Sequence, residues 1–201
     1  MPKINIVAPV GGYGNHARWL IALDPGFTLR LNDCVLTTTE DKINFIKQYI
    51  YFPGRTWHNW LEIEWRYRES MNSVIKFAHS HVEILGTAPV VVLTAEPELA
   101  YRSYLKFNSN LNNRSRERFL RDVADDNQRN VQFAESVDHA RVLQSDVLFQ
   151  PTLDQMFYRD LISFFGLQDQ YAQANHIHQL WYQGHRQAEQ EFVRDIASIY
   201  K

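Results

Sequence analysis

The stretch from Lys3 to Asp24, KINIVAPVGGYGNHARWLIALD, constrains the fold more than any other part of the chain. A short run rich in Ile and Val meets a glycine-rich turn, and a helical pattern follows at once. This order puts Gly11, Gly12, Tyr13, Gly14, Asn15 and His16 where a buried strand hands over to a helix N-terminus. The first N–H groups of a helix have no intrahelical partner, and the macrodipole makes that end electropositive. Glycines there let an anion approach the backbone closely. The turn is therefore a candidate anion-binding, nucleotide-type loop, with Arg18 as its nearest cation. The same residues also suit a tight strand-to-helix turn that binds nothing, since the GxxxxGK[ST] pattern is absent and the turn has no lysine.

The rest of the chain alternates in the same way. Helix 15–24 has Asn15 as its expected N-cap and Pro25-Gly26 as its stop. Phe27–Leu36 reads as a short strand or an extended connection. A helix is expected from Thr39 to about Tyr49, broken by Pro53-Gly54, and a second over 56–71, with Trp57, Trp60, Leu61, Glu64 and Trp65 on helical spacing. Val74–Phe77 and Pro89–Thr94 read as strands, the latter continuously apolar as in a parallel strand covered on both faces. Pro97 sits in the first turn of a helix running to Phe107. A polar turn at 108–113 leads to an Arg-rich helical segment, 114–136. A strand is expected over Ala140–Phe149, then a helix from Thr152 closed by Gly166, and a last helical region over 168–200. Strands alternating with helices predict a single α/β domain, 1–201, with a central, mainly parallel sheet whose ligands bind beyond the strands' carboxyl ends.

Bulk properties bound the function. A chain of 201 residues buries a substantial core, and its formal net charge of −2 argues against an extended nucleic-acid footprint. Its one cysteine, Cys34, excludes an internal disulfide and a Cys-based zinc site, and fits a reducing cytoplasm. No apolar run reaches the length of about 18 residues that a transmembrane helix needs, and the chain enters its first strand without a basic-then-apolar leader.

Several segments resemble the sulfotransferase branch of the P-loop fold. PVGGYGNHARWL is similar to that family's PKSGTTW-like loop: Gly14 takes the place of the family glycine, Asn15 and His16 stand at the hydroxyl residues, and Gly12 replaces the lysine. VVVLTAEPELAYRSYLKF resembles the pattern IYVxRNPxDxxxSxxxF through Pro97, Ser103 and Phe107, with Ala95 at the family arginine and Arg102 beside the serine. SVIKFAHSH is similar to the strand end that carries the family's base and lysine. VLQSDVLFQPTLDQMFYRDLISFFGL resembles its late strand and helix, whereas the C-terminal RKG motif is absent. The resemblance touches about three-quarters of the chain in element order. It implies a three-layer P-loop-type fold, 3′-phosphoadenylyl sulfate as an anionic nucleotide donor, and sulfuryl transfer to a hydroxyl acceptor.

In that reading the backbone of residues 11–16 stabilises charge on the moving sulfuryl oxygens. His79 or His81 is the base, Lys76 neutralises the bridging oxygen, and Ser103 with Arg102 holds the 3′-phosphate. Two other readings stay open: a binding or structural protein that retains the fold without catalysis, and a nucleotide-dependent kinase, which lacks a magnesium-ligand pair here. No metal site is expected. His176 and His178, two residues apart, face different sides of a helix; His178 and Tyr182 read as packing partners; His178, His185 and Glu189 share part of a face without a further partner for a metal. The Arg-rich segment reads as a solvated helix face or as a basic flap over the donor.

Overall fold

The computed structural model describes residues 4–31, 34–50, 71, 74–81, 87–107 and 115–199. Four parallel strands form the central sheet in the order β4-β1-β5-β6: β1 (Ile4–Val7), β4 (Ile75–Ala78), β5 (Val90–Thr94) and β6 (Ala140–Gln144). A small antiparallel pair, β2 (Leu29–Leu31) and β3 (Cys34–Leu36), resolves the ambiguous 27–36 segment into two three-residue strands. The helices are α1 (Gly14–Ala22), α2 (Thr39–Phe45), α3 (Pro97–Phe107), α4 (Arg116–Glu135), α5 (Gln155–Phe164) and α6 (Tyr171–Ile199). Of the tryptophan-bearing helix expected over 56–71 only Met71 is described, as helical, and the polar turn at 108–113 and Arg114 lie outside the described residues.

Alternation along the strands divides the core. Ile4, Ile6, Ala8, Val91 and Leu93 join Leu20 of α1, Leu161 of α5 and Ile177 of α6 in one apolar cluster. Val7, Val90 and Val92 face the other way, against Ala134 of α4. The sheet is thus the middle layer of a three-layer α/β fold, with helices on both faces, as parallel strands require. The crossover from β1 runs through α1 on one face, and the crossover from β5 runs through α3 and α4 on the other. Because β1 and β5 are neighbours, their carboxyl ends border a topological switch point, where open α/β sheets hold ligands.

Local sequence explains where the elements stop and turn. Thr38 and Asp41 form a reciprocal capping box at the start of α2. That helix loosens into a π-turn at Ile46–Ile50, in place of a regular continuation to Tyr49. Helix α5 ends in a Schellman motif, with Gly166 at φ +65° and the Leu167 N–H donating to the Ile162 carbonyl. The expected strand over 140–149 divides at Ser145, where a 3-10 turn (Ser145–Phe149) follows β6. Its Ser145 hydroxyl donates to the Thr94 carbonyl at 2.9 Å.

Two buried polar groups sit where the helices meet. Lys42 of α2 is fully buried, and its Nζ donates to the Asp24 carbonyl just past α1. Burial pulls its ammonium down to about 8, against the carboxylates of Asp24 and Asp41, which favour the charge. Tyr158 of α5 is buried, and its hydroxyl accepts the Gln170 N–H. Burial pushes this phenol up to about 12. The unfolded chain holds the lysine proton over a range in which the folded chain has released it. Stability should therefore rise with pH from about 8 to about 10, by up to about 1.4 kcal/mol per pH unit. Above about 10 the unfolded tyrosine ionises first, and stability falls. Urea unfolding between pH 7.5 and 11 should show this rise and fall, with the rise absent in Lys42→Met and the fall reduced in Tyr158→Phe.

Candidate functional site

The turn after β1 is shaped by close packing. Gly11 has φ +81°, and a Cβ there would stand 2.2 Å from the Ala100 carbonyl of α3. At Gly14 a Cβ would stand 2.1 Å from the Phe77 ring of β4. The Gly12 N–H donates to the Pro9 carbonyl at 2.9 Å and closes the turn. These glycines let the turn lie directly against β4 and α3 at the sheet's carboxyl edge. The N-cap of α1 is Tyr13, not Asn15: Tyr13 is left-handed at φ 60°, ψ 23°, and its carbonyl accepts the first helical bond from the Ala17 N–H. The N–H groups of Gly14, Asn15 and His16 precede that ladder. Asn15 lies inside the helix, with its Oδ1 buried and without a hydrogen-bond partner.

The left-handed backbone at Tyr13 aims its ring into an aromatic group. Its centroid lies 4.1 Å from Phe149, 4.6 Å edge-on from Trp181 and 5.0 Å from His185. These rings line a cleft of about 130 Å³, together with Leu99, Tyr182 and the guanidinium-bearing Arg102 and Arg186. Arg102 of α3 and Arg186 of α6 are exposed at its rim. The volume is close to that of an apolar cavity that takes up one benzene ring, about 150 Å³. It is of a size for one planar ring or one tetrahedral anion.

His79 follows β4 at the same edge, and its Nδ1–H donates to the Ala8 carbonyl at 3.1 Å, just before the turn. In the neutral ring this leaves the lone pair on Nε2, the form a general base needs. His81 is turned toward α4: its backbone N–H and its Nδ1–H both donate to Asn130 Oδ1 at 3.0 Å, and the ring stacks on Phe133. Asn130 Nδ2 donates in turn to the His79 carbonyl, so one buried side chain fixes the whole 79–81 turn.

Of the residues singled out in the sequence, the turn (Gly11, Gly12, Tyr13, Gly14), Arg102 and His79 gather at the carboxyl edge. Lys76 does not join them. It pairs with Asn5 in the strand, two residues before the end of β4, on the face opposite Phe77 and the turn. Ser103 is buried on α3 and is not among the residues lining the cleft. Arg18 is buried in the second turn of α1. The His16 side chain turns into the core, where Nε2 lies 2.9 Å from His178 Nδ1 and the ring stacks on Trp181 at 3.9 Å. Burial, then repulsion from His178 and His185, holds His16 well below the ordinary imidazole value. Burial lowers His178 as well, partly offset by its bond to the Gln150 carbonyl.

Sequence reasoning missed the far wall, Phe149 and the α6 residues Trp181, Tyr182, His185 and Arg186. The spacing of His178, Trp181 and His185 places them on one helix face, a signal present in the sequence. Nothing local pairs that face with the opening turn. The Arg-rich helix is solvent-facing as expected, with Arg116, Arg118 and Arg121 exposed and Arg116 paired with Glu98. Among the described residues no group of three metal-ligating side chains comes together, and no helix is long and apolar enough to cross a membrane.

Gly14, packed in the opening turn, and Gly166, exposed at the end of α5, predict a ranking. Gly14→Ala drives a methyl into Phe77 and should cost about 3 kcal/mol by urea unfolding. Gly166→Ala meets nothing within 4 Å and should cost only the left-handed backbone penalty, about 1 kcal/mol.

No protein-family model, curated protein or solved structure matches this chain, so the chemistry of the site is read from its own residues.

Proposed function

We propose that the carboxyl edge of the sheet binds a phosphoadenylyl-type nucleotide and that the protein transfers its sulfuryl group to a hydroxyl acceptor. The observation that carries this reading is the meeting of Arg102, Arg186 and the Tyr13 ring in one cleft that abuts the glycine turn at the switch point. Guanidinium groups suit phosphate through paired N–H donors, and aromatic rings suit the face of a nucleobase. A cleft of this size takes one ring or one phosphate, so the rest of the donor lies outside it, along the turn. In the transfer the sulfur–oxygen bond to the donor phosphate breaks as the acceptor oxygen bonds to sulfur. The acceptor proton passes to Nε2 of His79, and the N–H groups ahead of the α1 ladder face the developing charge.

A second reading, donor binding without transfer, is favoured by Lys76, the residue expected to neutralise the bridging oxygen, lying on the opposite face. Calorimetric titration with adenosine 3′,5′-bisphosphate, run beside ATP with magnesium, separates the readings. The bisphosphate should bind saturably, and Arg102→Ala and Arg186→Ala should each weaken it by about tenfold or more. His79→Gln should leave that binding within about twofold and lower sulfuryl transfer to hydroxyl acceptors by about a hundredfold. Binding with no transfer by the wild-type chain supports the non-catalytic reading. Binding of neither nucleotide overturns both.

A further inference from the structure

We propose that His16 and His178 are the positioning residues of the cleft: a directional pair of neutral imidazoles that pins α6 to α1, holds Trp181 as a cleft wall, and loosens in acid, when a proton is forced onto the buried pair. The direction follows from the hydrogen bonds. The Gln150 carbonyl can only accept, so His178 Nε2 carries the hydrogen of their 2.7 Å bond. In the neutral ring His178 Nδ1 then bears the lone pair, and it accepts from His16 Nε2–H at 2.9 Å. The chain therefore runs one way, from α1 through α6 to the carbonyl that follows the 3-10 turn.

This chain touches the cleft through Trp181. Its ring lies flat on His16, with centroids 3.9 Å apart and planes 12° apart, and 5.5 Å from His178 and 4.5 Å from His185. The same ring meets Tyr13 and lines the cleft. Because His16, His178 and Trp181 are all buried, the wall keeps its place only while the two imidazoles keep theirs.

Geometry opposes a proton on one ring, and burial with the helix dipole opposes it on the other. A proton added to His178 must go to Nδ1, where it would face the His16 N–H across 2.9 Å. A proton added to His16 goes to Nδ1 and leaves the Nε2–H bond in place, but it puts a buried charge into the first turn of α1, at the positive end of its dipole. Among the described residues, the titratable and charged groups near the pair or at the cleft include His185 of α6, the Tyr13 phenol, Arg18 two residues along α1, Arg102 of α3 and Arg186 of α6. Of these, His185 joins His178 in opposing a charge on His16. Burial holds both rings below the ordinary imidazole value. The pair's contribution is therefore complete above about 6.5 and is lost as pH falls below it.

The test needs no ligand, so its failure is separate from a failure of the donor reading. Nitrogen-15 spectra of the histidine rings should show both His16 and His178 as Nε2–H tautomers at pH 7.5. Hydrogen exchange, corrected for its intrinsic pH dependence, should show protection of residues 171–186 falling about tenfold or more between pH 7.5 and 5.5, with residues 90–94 of β5 unchanged. His16→Gln keeps a donor at the ε position and takes no proton, and its amide can turn its oxygen toward a protonated His178. In that variant the acid loss should shrink to about threefold or less. An Nδ1–H tautomer at His178, an ordinary titration of His16 near 6.5, or loss of β5 protection in step with α6 overturns the proposal. So does an undiminished acid loss in the folded variant. If His16→Gln does not fold, the wild-type tautomers and exchange pattern decide.

Discussion

A strand buried on both faces leaves a chain few choices, and β1 is such a strand. Ile4, Ile6 and Val7 have no exposure to speak of, so apolar partners are needed above and below the sheet, and hydrogen-bonded neighbours are needed on both edges. The neighbours are β4 and β5, each parallel to β1, and parallel pairing requires crossovers that a tight hairpin cannot supply. The β1-to-β4 crossover passes over one face through α1, and the β5-to-β6 crossover over the other through α3 and α4. The helices that bury β1 are therefore also what makes its carboxyl end a switch point.

The glycines of the opening turn follow from that constraint more directly than from any ligand. With β4 and α3 pressed against the turn, a Cβ at Gly11 or Gly14 would overlap the Ala100 carbonyl or the Phe77 ring. What faces outward is the next residue that is not a glycine, Tyr13, held in a left-handed conformation that costs a residue with a Cβ about 1–2 kcal/mol. Its ring contacts with Phe149, Trp181 and His185 offset that cost and also form the cleft. Packing thus divides the turn: glycines for the approach of neighbouring elements, and a tyrosine for the cleft side.

Legibility in the sequence follows the range of the interactions. The strand-turn-helix order at residues 4–22, the continuous apolar run of β5 and the glycine stop of α5 are local patterns, and each was readable within a few positions. The misplaced N-cap shows where local rules lose. Asn15 is the better capping residue by preference, but the packing of Gly14 on Phe77 starts the helix earlier and carries the Asn15 side chain inside. The strand read through to Phe149 failed similarly: Ser145 turns to bond the Thr94 carbonyl, a contact 51 residues distant. The side chains that gather at the edge were half legible, because the turn, Arg102 and His79 adjoin strand or helix ends that the pattern predicts. The α6 wall was not, since His178 meets His16 across 162 residues and no spacing within either segment encodes the meeting.

That long-range meeting also explains why the cleft combines charges and rings from such distant parts of the chain. Helix α1 and its turn bring backbone donors but no exposed cation, because Arg18 is buried. The cations come instead from α3 and α6, whose Arg102 and Arg186 reach solvent at the rim. An anion held between them would be bound by side chains on two helices of separate crossovers, and their separation would set what size of group fits. The His16–His178 bond fixes one of those helices against the turn, so the electrostatic half of the site depends on an uncharged contact in the core. Two neutral rings suit this task because burial that would penalise an ion pair leaves a neutral hydrogen bond with partners for both of its polar ends.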